Sequence, residues 1–397
     1  MAKTLVFDSS EGTRVPFLRG ILTRSVHEAG LEFEDAYNLA STIRQDLAEI
    51  DEISQDDLRT RVIELLQKSY SAKVVDDYQS SGRVPAPIMV EDAEGQASPF
   101  SRAEHLRLLE SCGLSNKDAE KASKHIYQHL IENNVKELSS SRLGHLTYIC
   151  LHRHFGARIA RRYLVWVEFT HSDRPLILLI GGTTGCGKSS IATEVAHRLG
   201  VVRTQSTDML REVMRMLIPK RLLPVLHSSA FNAWQALPAR LSYQADEEKL
   251  IADGYRSQME LLSVPCEAVI QRALRERVSL ILEGVHVHPS LMTLIDRRED
   301  AVIVPIMVAV LKQEKLKKRL RGRGRRAPKR GSEHYLAHFD QIWALQSFLL
   351  SEADRTGIPI IANNDKEKST IEIMSTIVDV MEKKFSATPA EVFGHGQ

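Results

Sequence analysis

The chain has 397 residues, 43% of them apolar and 26% charged, with a formal net charge of +2. That length provides for two or three domains with sizeable cores, and the near-neutral balance excludes a chain that binds nucleic acid or membranes through overall charge. The four cysteines, Cys112, Cys150, Cys186 and Cys266, show no CxxC spacing and no repeated pattern with histidine, so the sequence points to free thiols in a reducing compartment rather than a zinc framework.

The opening segment, MAKTLVFDSSEG, carries no apolar run followed by a cleavage signal. The longest apolar stretch, residues 301–311, is too short to cross a bilayer, contains Pro305 and reads as a buried strand. No membrane segment is expected, and the expected location is the cytoplasm.

Residues 5–78 and 88–163 read as two copies of one unit. Glu11-Gly12 aligns with Glu94-Gly95, Pro16-Phe17 with Pro99-Phe100, Arg19 with Arg102, Gly30-Leu31 with Gly113-Leu114, Leu58 with Leu143, and Tyr78 with Tyr163. Each copy begins with a β-like stretch, LVFD or PIMVED, then a glycine turn and a Pro-Phe entry. In the first copy Leu18, Ile21, Leu22, Ser25, Val26 and Ala29 share a helical face. A second helix carries Leu39, Ile43, Leu47 and Ile50; a third, with Ser54 as its N-cap, carries Leu58, Val62, Leu65 and Leu66. The pattern resembles the ATP-cone, a small regulatory nucleotide-binding module. The expected division is one module over 1–79, a turn-rich linker over 80–87 and a second module over 88–170. These serve either as packing or dimerisation modules, which would give a homo-oligomer, or as an effector site.

Beyond residue 170 the texture changes. Residues 176–180 form a short continuous apolar run, as in a strand buried on both faces of a parallel sheet, and lead into GGTTGCGKSS and a helical stretch. Gly182, four residues, Gly187, Lys188 and Ser189 make the Walker A pattern. A polyphosphate must be wrapped by backbone N–H groups, and Gly182, Gly185 and Gly187 leave room for that. The ATP-binding set is therefore Gly182, Thr183, Thr184, Gly185, Cys186, Gly187, Lys188, Ser189 and Ser190, with Lys188 reaching the β- and γ-phosphates and Ser189 offering its hydroxyl to Mg²⁺.

The next features extend nucleotide binding to phosphoryl transfer. Ser206-Thr207-Asp208 falls at the end of a second strand. Asp208 either orients an acceptor hydroxyl or caps the following helix, and the two roles are compatible. Arg211 and Arg215, on one helical face, are suited to an acceptor phosphate. Residues 278–282 read as another strand, ending in Glu283, which is placed to hold Mg²⁺ through water or to contact substrate. His286 and His288 lack an evident third ligand for a metal role. Within residues 312–330, eleven of nineteen are basic. This segment is a lid delivering Arg319 and Arg323 to the transferring group, a nucleic-acid patch, or a solvated face. The scarcity of aromatics argues against single-strand stacking. Gly322, Gly324 and Pro328 are expected to break the helix there. A last strand precedes Asn363, in a loop expected to close over adenine, and Ser369-Thr370 is expected to open the terminal helix.

The segments STDMLREVMR (206–215), LHSSAF (226–231), GYRSQMELLSVPCEAVIQRA (254–273), LILEGVHVHP (280–289), RGSEHYLAHFDQIWALQ (330–346) and GIPIIANND (357–365) together resemble the 2-phosphoglycerate kinase family. That resemblance implies an α/β fold with a P-loop kinase core, its parallel sheet flanked by helices, over 171–385. It is preceded by the mainly helical modules and followed by a flexible tail, 386–397. It implies ATP and Mg²⁺, and 2-phosphoglycerate converted to 2,3-bisphosphoglycerate. The acceptor set is Asp208, Arg211, Arg215, Ser228, Ser229, Arg256 and Arg272, the last two being alternatively surface residues. Other readings are a kinase for another phosphorylated polyol, such as an inositol phosphate, or for a nucleotide, and a non-catalytic ATP-sensing regulator.

Overall fold

In the computed structural model, residues 4–8, 13–80, 87–237, 246–295, 300–326 and 332–394 are described. The first half contains β1 (Leu5–Asp8), β2 (Thr13–Pro16), α1 (Arg19–Glu28), α2 (Phe33–Asp46), β3 (Glu52–Ser54), α3 (Gln55–Ser69) and α4 (Ala72–Ser80). The same order then recurs as β4 (Met89–Glu91), β5 (Ala97–Pro99), α5 (Arg102–Ser111), α6 (Asn116–Glu132), β6 (Glu137–Ser139), α7 (Ser140–Phe155) and α8 (Ala157–Thr170). Next come β7 (Leu176–Gly181), α9 (Lys188–Leu199), β8 (Arg203–Ser206), α10 (Thr207–Leu217), α11 (Glu247–Arg275), β9 (Leu280–Gly284) and β10 (Val302–Ala309). The chain finishes with α12 (Gln313–Arg326), α13 (Ser332–Ala337), α14 (Phe339–Arg355), β11 (Ile360–Ala362), α15 (Lys366–Met381) and α16 (Pro389–Phe393). Among the described residues no helix is long and apolar enough to cross a membrane.

Two compact units result: Met1–Arg102 with Glu120–His154 and Phe393–Gln397, and Ala103–Ala119 with Phe155–Val392. In the first unit, β1 pairs antiparallel with β2 and parallel with β3, and β4 pairs in the same way with β5 and β6. Most of the helical faces read from the sequence are buried, with Leu22, Val26, Leu39, Ile43, Leu47, Val62 and Leu66 in one cluster; Leu18 is the exception, exposed at the N-cap of α1. Ser54 caps α3 by accepting from the Asp57 N–H at 3.0 Å. Most of the linker, residues 81–86, lies outside the described residues, as do Glu11 and Gly12. Phe393, expected in a tail, is buried against Gly144, with its carbonyl accepting from the Ser141 hydroxyl.

Residues 103–119 and 155–170, read from the sequence as part of the second repeat, pack in the second unit. There Arg162 Nη2 meets Asp379 Oδ1 at 2.9 Å, and the Ser111 hydroxyl donates to the Arg198 carbonyl at 2.8 Å. The centre of this unit is an all-parallel five-stranded sheet, β11-β10-β7-β9-β8. Every residue of β7 is buried, and each of its large apolar side chains contributes about 1.5–3 kcal/mol of burial. Pro305 sits inside β10 without breaking a ladder. Met307 N–H donates to Pro359 O, so the odd positions of β10 face β11, whose pairing begins only at Met307. Pro305 therefore turns its missing N–H toward a side with no strand partner at that level. The helix α15 begins at Lys366 rather than Ser369, because Asp365 accepts from the Lys368 N–H and supplies the cap. The helix α12 runs through Gly322 and Gly324, so neither breaks it as expected; Pro328 lies outside the described residues.

At Gly254 the backbone of α11 passes close to another stretch of main chain. A Cβ there would stand 2.2 Å from the main-chain N of Trp234. Gly254→Ala is therefore expected to destabilise by about 1–3 kcal/mol, although alanine is the better helix former. Urea unfolding checks this, and an unchanged midpoint would contradict the packing described.

Candidate active site

A buried strand that must deliver its chain straight into a helix needs a residue with no side chain at the corner. Gly182 fills that place: its φ is +139°, and a Cβ would come within 2.2 Å of the Val308 carbonyl. The loop that follows ends at Gly187, where α9 begins with its unsatisfied N–H groups and positive dipole end. Lys188 is buried and donates from Nζ to the Thr183 carbonyl at 2.9 Å. Among the described residues this is its only polar partner. Ser189 and Ser190 are exposed on the first turn of α9.

The sheet register brings the other elements to the same end. Ile180 lies opposite Glu283, and Glu283 lies opposite Ser206, so the tips of β7, β9 and β8 stand side by side. Ser189 Oγ donates to Glu283 Oε1 at 2.9 Å. Ser206 caps α10 by accepting from the Asp208 N–H at 3.2 Å, so the cap is Ser206 and not Asp208.

Behind the loop, Asn363 Nδ2 donates to the Cys186 carbonyl at 2.7 Å. Arg319 Nη1 donates to the same carbonyl at 3.0 Å, and its Nη2 to the Asn363 carbonyl at 2.8 Å. Leu316 and Leu320 of α12 are fully buried, with Leu320 against Gly185. Arg319 and Asn363 thus clamp the loop backbone here: the first comes from the basic segment read as a lid, a nucleic-acid patch or a solvated face, the second from the loop expected to close over adenine. The side chain of Arg323 lies outside the described residues.

In front of the loop is a cavity of about 200 Å³ lined by Thr184, Asp208, Arg211, Arg215, Ser229 and Tyr335, among others. Arg211 Nη1 donates to the Ser228 carbonyl at 2.9 Å, and its Nη2 lies 3.9 Å from Asp208 Oδ1. Arg215 pairs with Glu212 at 2.6 Å. The Nε atoms of both arginines, and Thr183 Oγ1, are buried without a partner among the described residues. An unmet buried donor costs about 1–3 kcal/mol.

The acceptor set is only partly assembled. Arg256 pairs with Asp253 at 3.1 Å and lies over the Phe348 ring, 4.7 Å from its centroid, away from the cavity. Arg272 is 68% exposed and bonds to Glu276 at 2.8 Å. Glu276 also holds Arg203, the first residue of β8, so Arg272 sits at the opposite edge of the sheet from the loop.

A buried layer beside the cavity is not evident in the sequence. Gln258 donates from Nε2 to the carbonyls of Val225 at 2.6 Å and Ser228 at 3.0 Å. Carbonyls only accept, so Gln258 Oε1 must accept from His286 Nε2, 2.7 Å away. His286 is therefore the Nε2–H tautomer, and its Nδ1 is buried and unpartnered. Burial, together with Arg211 and Lys188, pushes the His286 pKa down to about 3, so the ring is neutral. Tyr255 stacks on it and donates to the Val285 carbonyl at 2.9 Å. This layer fixes the Ser228 carbonyl that holds Arg211. Its only sequence signal is the proximity of His286 to Glu283. His288 turns instead to Ser290, at 3.0 Å, and stacks on Phe348.

No family model matches the chain. Individual proteins do. A 2-phosphoglycerate kinase of Pyrococcus furiosus is 35% identical over 302 residues, covering 75% of this chain and 97% of that protein. A 2-phosphoglycerate kinase of Thermococcus kodakarensis is 34% identical over 297 residues, with 75% and 99% coverage. One of Methanocaldococcus jannaschii is 34% identical over 266 residues, with 67% and 83% coverage. Likeness of this extent, spanning nearly the whole of proteins that share one name, means that the chain belongs to the 2-phosphoglycerate kinase family.

Proposed function

We propose that the chain transfers the γ-phosphoryl group of ATP to the free hydroxyl of 2-phosphoglycerate, giving 2,3-bisphosphoglycerate and ADP, through a P-loop kinase core over residues 171–385. The observation that carries this reading is that Thr184, from the middle of the loop, lines the same cavity as Asp208, Arg211 and Arg215. A phosphoryl group on the loop and an acceptor in the cavity are then neighbours. The cavity is small, and its arginines suit a metabolite that carries two anionic groups, a carboxylate and a phosphate.

Phosphoryl transfer is mostly positioning and charge stabilisation. Loop amides and the α9 N-terminus wrap the triphosphate, and Lys188 exchanges the Thr183 carbonyl for phosphate oxygens. Arg211 and Arg215 hold the acceptor's anionic groups, while Asp208 orients the hydroxyl. The hydroxyl oxygen bonds to the γ-phosphorus, the bond to the β-phosphate oxygen breaks, and the hydroxyl proton leaves by way of Asp208 or water. The hydroxyl–carboxylate pair of Ser189 and Glu283 is a hard oxygen donor set that fits Mg²⁺, the carboxylate acting through water. When bound, Mg²⁺ neutralises charge on the β- and γ-phosphates. The matching order of strands and helices supports reading the N-terminal half as two copies of one unit; as ATP-cone-like modules these would serve either in packing or dimerisation or as an effector site.

Labelled ATP offered with 2-phosphoglycerate, 3-phosphoglycerate and glycerate, with mass identification of the product, tests the acceptor. Transfer to 2-phosphoglycerate is expected to dominate. A preference for 3-phosphoglycerate or glycerate would refute the assignment, and no transfer despite tight ATP binding would favour a sensor.

A further inference from the structure

The helices α6 and α7 of the first unit bring together three side chains that the kinase reading does not use. Cys150 and His154 are four residues apart on one face of α7, and His125 comes from α6. One ligand atom from each, a ring nitrogen or the thiol sulfur, lies within 4.8 Å of the other two. The His125 and His154 rings meet at 4.8 Å between centroids, tilted by 60°.

We propose that His125, Cys150 and His154 form a binding site for a borderline transition-metal ion, with Zn²⁺ the best chemical fit. Two imidazoles and one thiolate are the ligands that zinc and its neighbours take, and three protein ligands leave a fourth position for water. Both histidines are exposed, so the open position faces solvent. Bonds of about 2.0–2.3 Å in a tetrahedral site put ligand atoms about 3.3–3.8 Å apart. Separations of up to 4.8 Å therefore shorten by about 1–1.5 Å when the ion binds. Lys121 and Lys124 oppose a cation here and Glu34 favours one, but Lys124 is taken up by Glu34 at 2.6 Å. On binding, the sulfur–metal bond forms as the Cys150 S–H bond breaks, and the proton goes to solvent. The ion joins α6 to α7, so it stabilises the folded chain by mass action.

Cobalt(II) titrated into the metal-free full-length chain is the test, because a thiolate–cobalt bond gives a near-ultraviolet charge-transfer band. One equivalent is expected to saturate the band, Zn²⁺ to abolish it, and Zn²⁺ to raise the thermal midpoint. Cys150→Ser is expected to remove the band, and His125→Gln or His154→Gln to weaken cobalt binding at least about tenfold each. His125 is exposed, so its variant keeps the test valid if Cys150→Ser fails to fold. Absence of the band in the parent chain would overturn the proposal. So would its survival in Cys150→Ser, which would place the metal on Cys112, Cys186 or Cys266, or unchanged affinity in the histidine variants.

Discussion

Lys188→Ala is expected to lower turnover by about three orders of magnitude or more while leaving the thermal midpoint close to that of the parent chain. The two halves of this expectation have separate causes. In the folded chain the Lys188 ammonium is buried and bonded to one carbonyl, with no carboxylate in ion-pair range among the described residues. A buried cation with so little compensation costs stability, so its removal does not harm the fold. Its value appears when the Thr183 carbonyl is exchanged for phosphate oxygens whose charge shifts during transfer. Lys188→Arg is expected to fail as well, because a planar fork does not fit a site shaped for a compact ammonium. Initial rates at saturating ATP and acceptor, with a melting curve for each variant, check this. Turnover within tenfold of the parent chain would show that the loop after β7 is not where ATP reacts.

The parts of this site that were legible in the sequence are those whose geometry is local. Five consecutive apolar residues, a glycine-spaced loop and a helix start specify β7, the loop and α9 within a single stretch, and Ser54 announces α3 in the same way. Glu283 was legible because it ends a strand, and parallel strands in such sheets end at one edge. Whether Arg256 and Arg272 face the acceptor or the surface stays open in the sequence, because both lie on the 29-residue helix α11. Which face of a long helix meets the cavity is decided by packing, and here Tyr255 and Gln258 point inward while the two arginines find Asp253 and Glu276. The contact between Gln258 and His286 is not legible in the sequence, for the complementary reason. Their role rests on a hydrogen bond between residues far apart in sequence, and no spacing encodes it. Gly322 and Gly324 suggest a break in the helix, but a glycine costs a helix only about 1 kcal/mol. Burial of Leu316 and Leu320 against the loop outweighs that cost.

The cavity predicts a different kind of loss from the loop. Arg211→Ala is expected to raise the acceptor KM by about thirtyfold or more, the equivalent of about 2 kcal/mol, and to leave the affinity for a non-hydrolysable ATP analogue unchanged. Arg211 is held from two sides, by the Ser228 carbonyl at 2.9 Å and by Asp208 at 3.9 Å, with its Nε buried and unpartnered. A guanidinium so fixed loses little freedom when it binds an anion, and binding can engage further N–H donors of the group. It does not touch the loop carbonyls that Lys188, Arg319 and Asn363 hold, so nucleotide binding has no reason to follow it. Gln258→Ala should give a weaker version of the same phenotype, because it releases the Ser228 carbonyl while leaving the charge of Arg211 in place. Titration of the Arg211→Ala variant with the analogue, beside acceptor saturation curves, separates the two ligands. Equal losses for both would mean that Arg211 supports the whole strand-tip region and is not the acceptor's anion partner.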